Sequence, residues 1–201
     1  MSLRVALTGG IACGKSVAEA CFEACGCRVL DADKVVWRLE GPGGAAVDAI
    51  VARFGQEVRG ADGGIDRQAL GKKVFGDVAA RRALEAIVWP LVEGEVAQWL
   101  AQAGAGEVSV FSAALLYECG WEKAWPAVIC VEASEKTQVR RMVEARGMSE
   151  AAAYARLAAQ MPVAEKARRA RWVLHNDTDD LGALREQVER VLAEIRSMDV
   201  G

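Results

Sequence analysis

The sequence predicts an α/β protein built on a five-stranded parallel sheet flanked by helices. Short apolar segments alternate along the chain with amphipathic helical segments, which is the pattern of parallel sheets. A glycine-rich loop joins the first apolar segment to the first helix, and a long stretch of purely helical periodicity separates the second strand from the third. With 201 residues, 52% of them hydrophobic and 26% charged, the composition is that of an ordinary globular protein.

The first predicted strand (residues 4–8) and helix (residues 16–25) enclose a phosphate-binding loop. Residues 9–16 fit the pattern G-x-x-x-x-G-K-[ST]. Its glycines let backbone N–H groups turn inward toward phosphate oxygens, and the helix N-terminus adds partial positive charge. Lys15 is expected to reach the β and γ phosphates and Ser16 to bind Mg²⁺. The alternative is a turn that only joins strand to helix, but the full pattern favours an ATP site formed by Gly10, Ile11, Ala12, Cys13, Gly14, Lys15, Ser16 and Val17.

Two aspartates follow the second predicted strand (residues 27–30). Asp31 and Asp33 would point to the same side if strand geometry continued, at the sheet edge where open α/β proteins bind ligands. One carboxylate could then orient or deprotonate an acceptor hydroxyl. Equally, either aspartate could cap the N-terminus of the helix predicted at 34–40. The spacing alone does not separate these interpretations.

Beyond a Gly-Pro-Gly-Gly break, the chain is predicted to be helical up to residue 103. Helices are expected at 45–54, 67–75 and 78–102, with Pro90 kinking or interrupting the last one. Strands are predicted at 108–111, 127–131 and 171–174. A turn at 177–180 and an amphipathic helix at 181–198 complete the chain.

A basic segment at 136–171 carries nine Lys or Arg residues against three Glu residues. The usual explanation for such a run is a solvated helix face. The alternative is a lid that brings arginines onto transferring phosphates, which we favour because a phosphate loop is present. Gly147 and Ser149 divide the segment, so it is predicted to be a helical hairpin.

The six cysteines and the single histidine limit the metal sites and the classes of catalysis that the sequence supports. No C-x-x-C pair indicates a zinc site, and most of the thiols are expected to be buried and reduced. Cys13 is the exception, because its place beside a helix N-terminus and Lys15 predicts an acidified, reactive thiol. His175 has no nucleophile elbow to serve, which disfavours a hydrolase. The residues following the last strand, His-Asn-Asp-Thr, lack the Asn-Lys-x-Asp guanine-recognition pattern of GTPases.

Net charge and hydropathy limit the classes of partner that we expect this protein to bind. A formal charge of −3 argues against a surface that binds nucleic acid throughout. No signal peptide precedes the first strand, and no apolar run approaches the roughly 20 residues that span a membrane. We therefore expect a cytoplasmic protein without membrane or nucleic-acid partners, either a monomer or a small homo-oligomer.

The sequence as a whole resembles the dephospho-coenzyme A kinase family, whose members catalyse the last step of coenzyme A synthesis. The similarity runs over nearly the whole length, and its specificity lies in the order and spacing of several short motifs. These are Leu7-Thr8-Gly9-Gly10-Ile11, Asp31-Ala32-Asp33, Ile65-Asp66-Arg67, Leu115-Leu116-Tyr117-Glu118, Gln138-x-x-Arg141 and Asn176.

The resemblance implies a P-loop kinase that uses ATP and Mg²⁺ to phosphorylate the ribose 3′-hydroxyl of dephospho-coenzyme A. It implies that Asp33 is the base, that Lys15 and Arg141 contact the phosphates, and that Ser16 binds the metal. The predicted acceptor-binding residues are Thr8, Asp31, Asp33, Leu115 and Tyr117. It also implies a nucleotide-binding core at 1–40, 104–135 and 171–201, an acceptor-binding insertion at 41–103 and a lid at 136–170.

Three positions depart from the family pattern. Ser112 stands where the family usually has an acid, Trp89 where it has histidine, and Arg171 where it has aspartate. Serine cannot supply the charge with which an acid would organise Mg²⁺ or the acceptor. Two alternatives to an active dephospho-coenzyme A kinase follow: a related small-molecule kinase with another acceptor, and a nucleotide- or coenzyme-binding protein without catalysis.

Overall fold

The computed structural model describes residues 3–178 and 180–198 of the chain. It divides into two compact units. The first comprises Met1–Leu30 with Ala103–Gly201, and the second comprises Asp31–Gln102. The sheet belongs to the part of the chain with alternating strands and helices, whereas the second unit is mainly helical.

Five parallel strands form the sheet within the described residues, which confirms the predicted architecture. The strand order is β2-β3-β1-β4-β5, so β1 lies at the centre and pairs in parallel with β3 and β4. Leu7 is in register with Ser112 on β3 and with Ile129 on β4. The bounds are β1 Leu3–Gly9, β2 Arg28–Asp31, β3 Val108–Ser112, β4 Val128–Glu132 and β5 Trp172–His175.

Each strand except β3 is followed by at least one α-helix, whereas a short 3₁₀ turn lies between β3 and β4 in the part of the chain that the structure describes. In chain order, the α-helices of the described residues are α1 Lys15–Ala24, α2 Ala32–Glu40, α3 Val47–Phe54, α4 Arg67–Val74, α5 Val78–Ala101, α6 Glu135–Arg146, α7 Glu150–Ala158, α8 Val163–Arg169 and α9 Leu181–Ser197. Short 3₁₀ turns lie at Gln56–Val58 and Trp121–Ala124.

The core of the first unit lies between the sheet and two of these helices. Phe22 of α1 and Val188 of α9 are fully buried in one cluster with Val110 of β3. Val188 follows the apolar periodicity that predicted α9. In α1 the buried side chains are Ala18, Glu19 and Phe22, whereas the positions that the sequence favoured for its apolar face are partly or fully exposed, namely Val17, Ala20, Cys21 and Ala24. The predicted turn at 177–180 includes Asp179, which lies outside the described residues.

The predicted helical hairpin at 136–170 is wrong, because this segment forms three helices, α6, α7 and α8. Gly147 ends α6 with a left-handed φ of 61°, and the Ser149 side chain caps α7, as expected. The third helix was missed. Pro162 precedes α8, and because proline has no N–H to continue a preceding helix, it favours the start of a new one.

The second unit packs α2 to α5 around its own core. Asp66 and Asp77 cap α4 and α5, and both side chains accept hydrogen bonds from backbone N–H groups. The buried residues of this unit include Val35, Leu39, Ile50, Val51, Phe54, Val88 and Val92.

The helix α5 continues through Pro90 without interruption. Val88 and Val92 on either side of the proline are 4% and 1% exposed, and their burial holds the helix together across the missing N–H bond. Among the helices of residues 3–178 and 180–198, none combines the length and apolar character needed to cross a lipid bilayer.

Candidate active site

The glycine-rich loop lies between β1 and α1 and has a defined shape. Gly14 adopts a φ of 90°, and a Cβ atom there would lie 2.1 Å from Nδ2 of Asn176. Ala12 also has a left-handed φ of 58°, which is uncommon for a residue with a side chain. The position of Gly14 therefore requires glycine both for its backbone angle and for space.

Three side chains from later elements hold the backbone carbonyls of this loop. Gln138 Nε2 donates to Ile11 O at 2.8 Å, and Asn176 Nδ2 donates to Cys13 O at 2.8 Å. Arg141 Nη1 donates to Ala12 O at 3.3 Å. These bonds all come from the protein, so its own side chains hold the loop in this shape. Sequence analysis had assigned no partner to Gln138 or Asn176 beyond their places in family motifs.

The predicted reactivity of Cys13 is wrong. Its side chain is 1% exposed, and burial raises the pKa of the thiol to about 11. Hydrogen bonds to the sulfur and the charge of Arg141 lower this pKa, but burial has the larger effect. Cys13 is therefore a protonated core residue at neutral pH, consistent with the broader expectation for the cysteines.

Lys15 is held by a carboxylate that sequence analysis missed. Its Nζ donates to Glu19 Oε1 at 2.6 Å and to Ser112 Oγ at 2.8 Å, and Ser112 Oγ in turn donates to the same Glu19 oxygen. Glu19 is 6% exposed and Ser112 is fully buried. The i,i+4 spacing of Lys15 and Glu19 on α1 was the available signal.

Arg141 and Asn176 border a cavity beside the loop. Arg141 Nη2 also donates to Thr178 O at 2.9 Å, so its guanidinium lies between the loop and the segment after β5. The cavity has a volume of about 190 Å³ and is lined by Gly14, Val17, Arg141, Asn176, Thr178 and Leu181. A cation at this position can interact with phosphate groups held by the loop.

Three predicted acceptor residues belong to the first unit. Thr8 is fully buried, and its hydroxyl donates to Ala114 O at 3.4 Å. Tyr117 is also buried, with the Arg169 guanidinium 4.1 Å from its ring centre, and its hydroxyl has no hydrogen-bond partner among the described residues. Leu115 is 45% exposed. The structure brings Thr8 close to the segment that carries Leu115 and Tyr117, and their contact with an acceptor stays a prediction.

Asp31 and Asp33 belong to the second unit, where α2 begins immediately after β2. The Asp31 side chain accepts a hydrogen bond from Asp33 N at 2.9 Å and caps the helix, which confirms one of the two interpretations. Strand geometry does not continue to Asp33, which lies in the first turn of α2. The role of Asp33 as a base stays a prediction.

The basic segment lies over a second cavity next to the loop, with a volume of about 640 Å³. Its walls come from Gly10 and Ile11, from the residues after β4, and from α7 and α8. Part of the positive charge is neutralised by acidic side chains, in the pairs Arg140–Glu144, Lys166–Glu118 and Arg169–Glu122. Movement of this segment as a lid stays a hypothesis.

The parallel sheet, the shaped loop and its lysine define a phosphate-loop nucleotide-binding protein. The family model for dephospho-CoA kinases matches residues 3–181. A dephospho-CoA kinase of Symbiobacterium thermophilum is 43% identical over 188 residues, 92% of this chain and 78% of that protein. That of Anaeromyxobacter dehalogenans is 42% identical over 194 residues, 96% of this chain and 92% of its own.

The fold comparison agrees. The crystal structure of TT1252 from Thermus thermophilus matches with a TM-score of 0.84 and 34% identity, over 96% of this chain and 97% of that one. The chain therefore belongs to the dephospho-CoA kinase family.

Proposed function

We propose that this protein transfers the γ-phosphoryl group of ATP, with Mg²⁺, to the ribose 3′-hydroxyl of dephospho-coenzyme A. The observation that carries the proposal is the preformed loop with Lys15 at its end, in a chain of this family. In the transfer, the 3′-oxygen bonds to the γ-phosphorus and the bond to the oxygen of ADP breaks. The hydroxyl proton passes to Asp33. The proposal includes a cytoplasmic location.

The residues of the first unit are suited to the ATP side of this reaction. Gly10 to Val17 would enclose the phosphates, while Lys15 and Arg141 would neutralise their charge. Phosphoryl transfer depends mainly on positioning and on charge neutralisation, so these groups account for most of the chemistry. Thr8, Asp31, Leu115 and Tyr117 are proposed to position the acceptor.

The residues at the start of α1 also suit a magnesium ion. Ser16 has an exposed hydroxyl, and Glu19 adds a carboxylate one turn further along the helix. Oxygen ligands of these kinds are those that Mg²⁺ prefers. When bound, the ion neutralises charge that develops on the phosphate oxygens.

A coupled assay with ATP, Mg²⁺ and dephospho-coenzyme A tests the proposal. We expect turnover by the wild type. Turnover should be at least about 100-fold lower in Lys15→Ala, because a preorganised cation is lost. Asp33→Asn should lose a similar factor, since general base catalysis contributes about 10²–10⁴-fold. Asp48→Asn is the matched control, because the Asp48 side chain is 93% exposed in the same unit as Asp33.

The same assay separates the alternatives. Binding of both ligands without turnover would support a non-catalytic coenzyme-binding protein. Binding of ATP without the acceptor would support a kinase with another acceptor. Near wild-type turnover in Asp33→Asn would show that Asp33 is not the base, even if the enzyme assignment stands.

A further inference from the structure

Glu19 is a buried carboxylate in contact with the functional lysine of the phosphate loop. Its Oε1 receives the Lys15 ammonium at 2.6 Å and the Ser112 hydroxyl, and Lys15 also donates to Ser112 at 2.8 Å. The side chains of Lys15 and Glu19 are only 14% and 8% exposed. The three groups close a ring between α1 and the end of β3.

Its burial distinguishes the Lys15–Glu19 ion pair from the exposed i,i+4 pairs that are common on helix surfaces. Removing a carboxylate from water costs free energy unless the group is paired with a cation and hydrogen-bonded. Glu19 meets both conditions: Lys15, four residues away in sequence, is its cation, and Ser112, 93 residues away, donates a hydrogen bond. A typical exposed i,i+4 pair has no such second partner.

The end of β3 is the place where phosphate-loop proteins need an acid. In such proteins Mg²⁺ is held by the Ser or Thr of the loop together with an aspartate that follows a neighbouring strand. Here β3 lies beside β1 and ends in Ser112. A serine hydroxyl has no negative charge, so β3 by itself cannot provide this function.

Glu19 brings a carboxylate to the end of β3 from helix α1. It follows Ser16 by three residues and Lys15 by four, and each of these two spacings makes side chains neighbours on a helix. The Ser112 hydroxyl fixes the carboxylate oxygen at the end of β3.

We propose that Glu19, held by Ser112, replaces the missing strand-end acid and is a positioning residue for the Mg²⁺ that accompanies ATP. The inference rests on the proposed function for its reaction, but its test does not require turnover. In the free protein Glu19 is paired with Lys15 and competes with the nucleotide for this cation. With nucleotide bound, Glu19 supplies the negative charge that makes binding depend on Mg²⁺.

The experiment measures binding of a fluorescent ADP analogue to the full chain in a Mg²⁺ series and in EDTA. We expect Glu19→Gln to reduce the tightening caused by Mg²⁺ about tenfold. In EDTA its affinity should equal or exceed that of the wild type, because Lys15 no longer has a competing carboxylate. A purely structural role for Glu19 would weaken binding under both conditions.

Restoring the acid on β3 provides the decisive comparison. Glu19→Gln/Ser112→Asp should recover the Mg²⁺ dependence, whereas Ser112→Asp alone should bring no gain because two carboxylates then share one site. Glu23→Gln, an exposed position on the same helix, is the matched control and should behave as the wild type.

Three results would overturn the inference: wild-type Mg²⁺ dependence in Glu19→Gln, equally weakened binding with Mg²⁺ and in EDTA, or no recovery in the double variant. If circular dichroism shows that Glu19→Gln does not fold, Glu19→Ala with and without Ser112→Asp makes the same comparison, because alanine also removes the carboxylate. Phosphorylation of dephospho-coenzyme A by the wild type is assayed separately, so failure of the proposed function is distinguishable from failure of this inference.

Discussion

At the residue scale, Cys13 shows that burial can outweigh a favourable electrostatic position. A helix N-terminus and nearby cations favour the thiolate, but the side chain is 1% exposed and the pKa of its thiol rises to about 11. A sequence motif locates the thiol beside the positive groups, but it does not show how little water reaches the sulfur. That part of the prediction depended on tertiary packing.

This burial predicts the order in which the cysteines react. At pH 8, iodoacetamide should label Cys25, which is partly exposed, at least about ten times faster than Cys13, because Cys13 is buried and burial raises the pKa of its thiol to about 11. Mass spectrometry of peptides from a time course measures both rates, and denatured protein gives the unprotected rates. Equal labelling of the two cysteines in the folded protein would contradict the assignment.

Gly14 allows a second test at this scale, because Gly26 is a natural control. Both have a left-handed φ, 90° and 80°, but only at Gly14 would a Cβ meet another atom, Asn176 Nδ2. Gly26→Ala should therefore cost about 1 kcal/mol of stability and keep ADP binding. Gly14→Ala should lose ADP binding, because the Asn176 contact must move.

Urea unfolding and titration with a fluorescent ADP analogue measure the two effects of these glycine substitutions. Binding that survives in Gly14→Ala would show that the loop shape described above is not required for the nucleotide.

At the element scale, α8 is fixed by a fully buried cation. Lys166 Nζ donates to Ala114 O and to Glu118 Oε1, each at 2.7 Å. Lys166→Met should destabilise the protein by roughly 1–3 kcal/mol, because the Ala114 carbonyl loses its donor, while the exposed Glu118 carboxylate can be solvated. Urea unfolding of the full chain measures the change.

Arg185→Met is the control for this substitution. Arg185 forms an i,i+4 pair with Glu189 on α9, its side chain is 59% exposed, and pairs of this kind contribute about 0.5 kcal/mol or less. Similar losses in the two variants would show that α8 does not depend on its buried lysine.

Most elements could be predicted because their signals are local. Apolar periodicity and the capping residues Asp66, Asp77, Ser134 and Ser149 set the helix positions, and each strand end lies within one residue of its predicted position. The local signal of Pro162 was present in the sequence but was not used, so α8 was missed. Glu19 was missed for another reason. Its place in the site depends on the hydrogen bond from Ser112, a residue that only the folded sheet brings close.

At the scale of the whole molecule, buried thiols predict a loss of stability in alkali. Burial raises the pKa of Cys27 to about 11 and that of Cys130 to about 12, from 9.0. Between pH 9 and these values the unfolded chain has released protons that the folded chain retains, so the free energy of unfolding falls as the pH rises. At pH 10.5 we expect a loss on the order of 1 kcal/mol for each thiol.

Urea unfolding at pH 8 and pH 10.5 measures this effect, and Cys27→Ala/Cys130→Ala is the comparison, because it spares the phosphate loop. The double variant should lose less stability over the same pH interval, while lysines and tyrosines contribute equally to both proteins. An identical loss would mean that the thiols do not carry the dependence.

The bond from Asn176 to Cys13 O joins residues that are 163 positions apart in sequence. On the ribosome, the phosphate loop is therefore made well before the amide that fixes its shape. A nucleotide that binds only the native loop would stabilise a chain that already contains Asn176 and would do nothing for a shorter nascent one. Such a ligand would favour retention of the folded molecule, whereas the growing polypeptide must fold without its help.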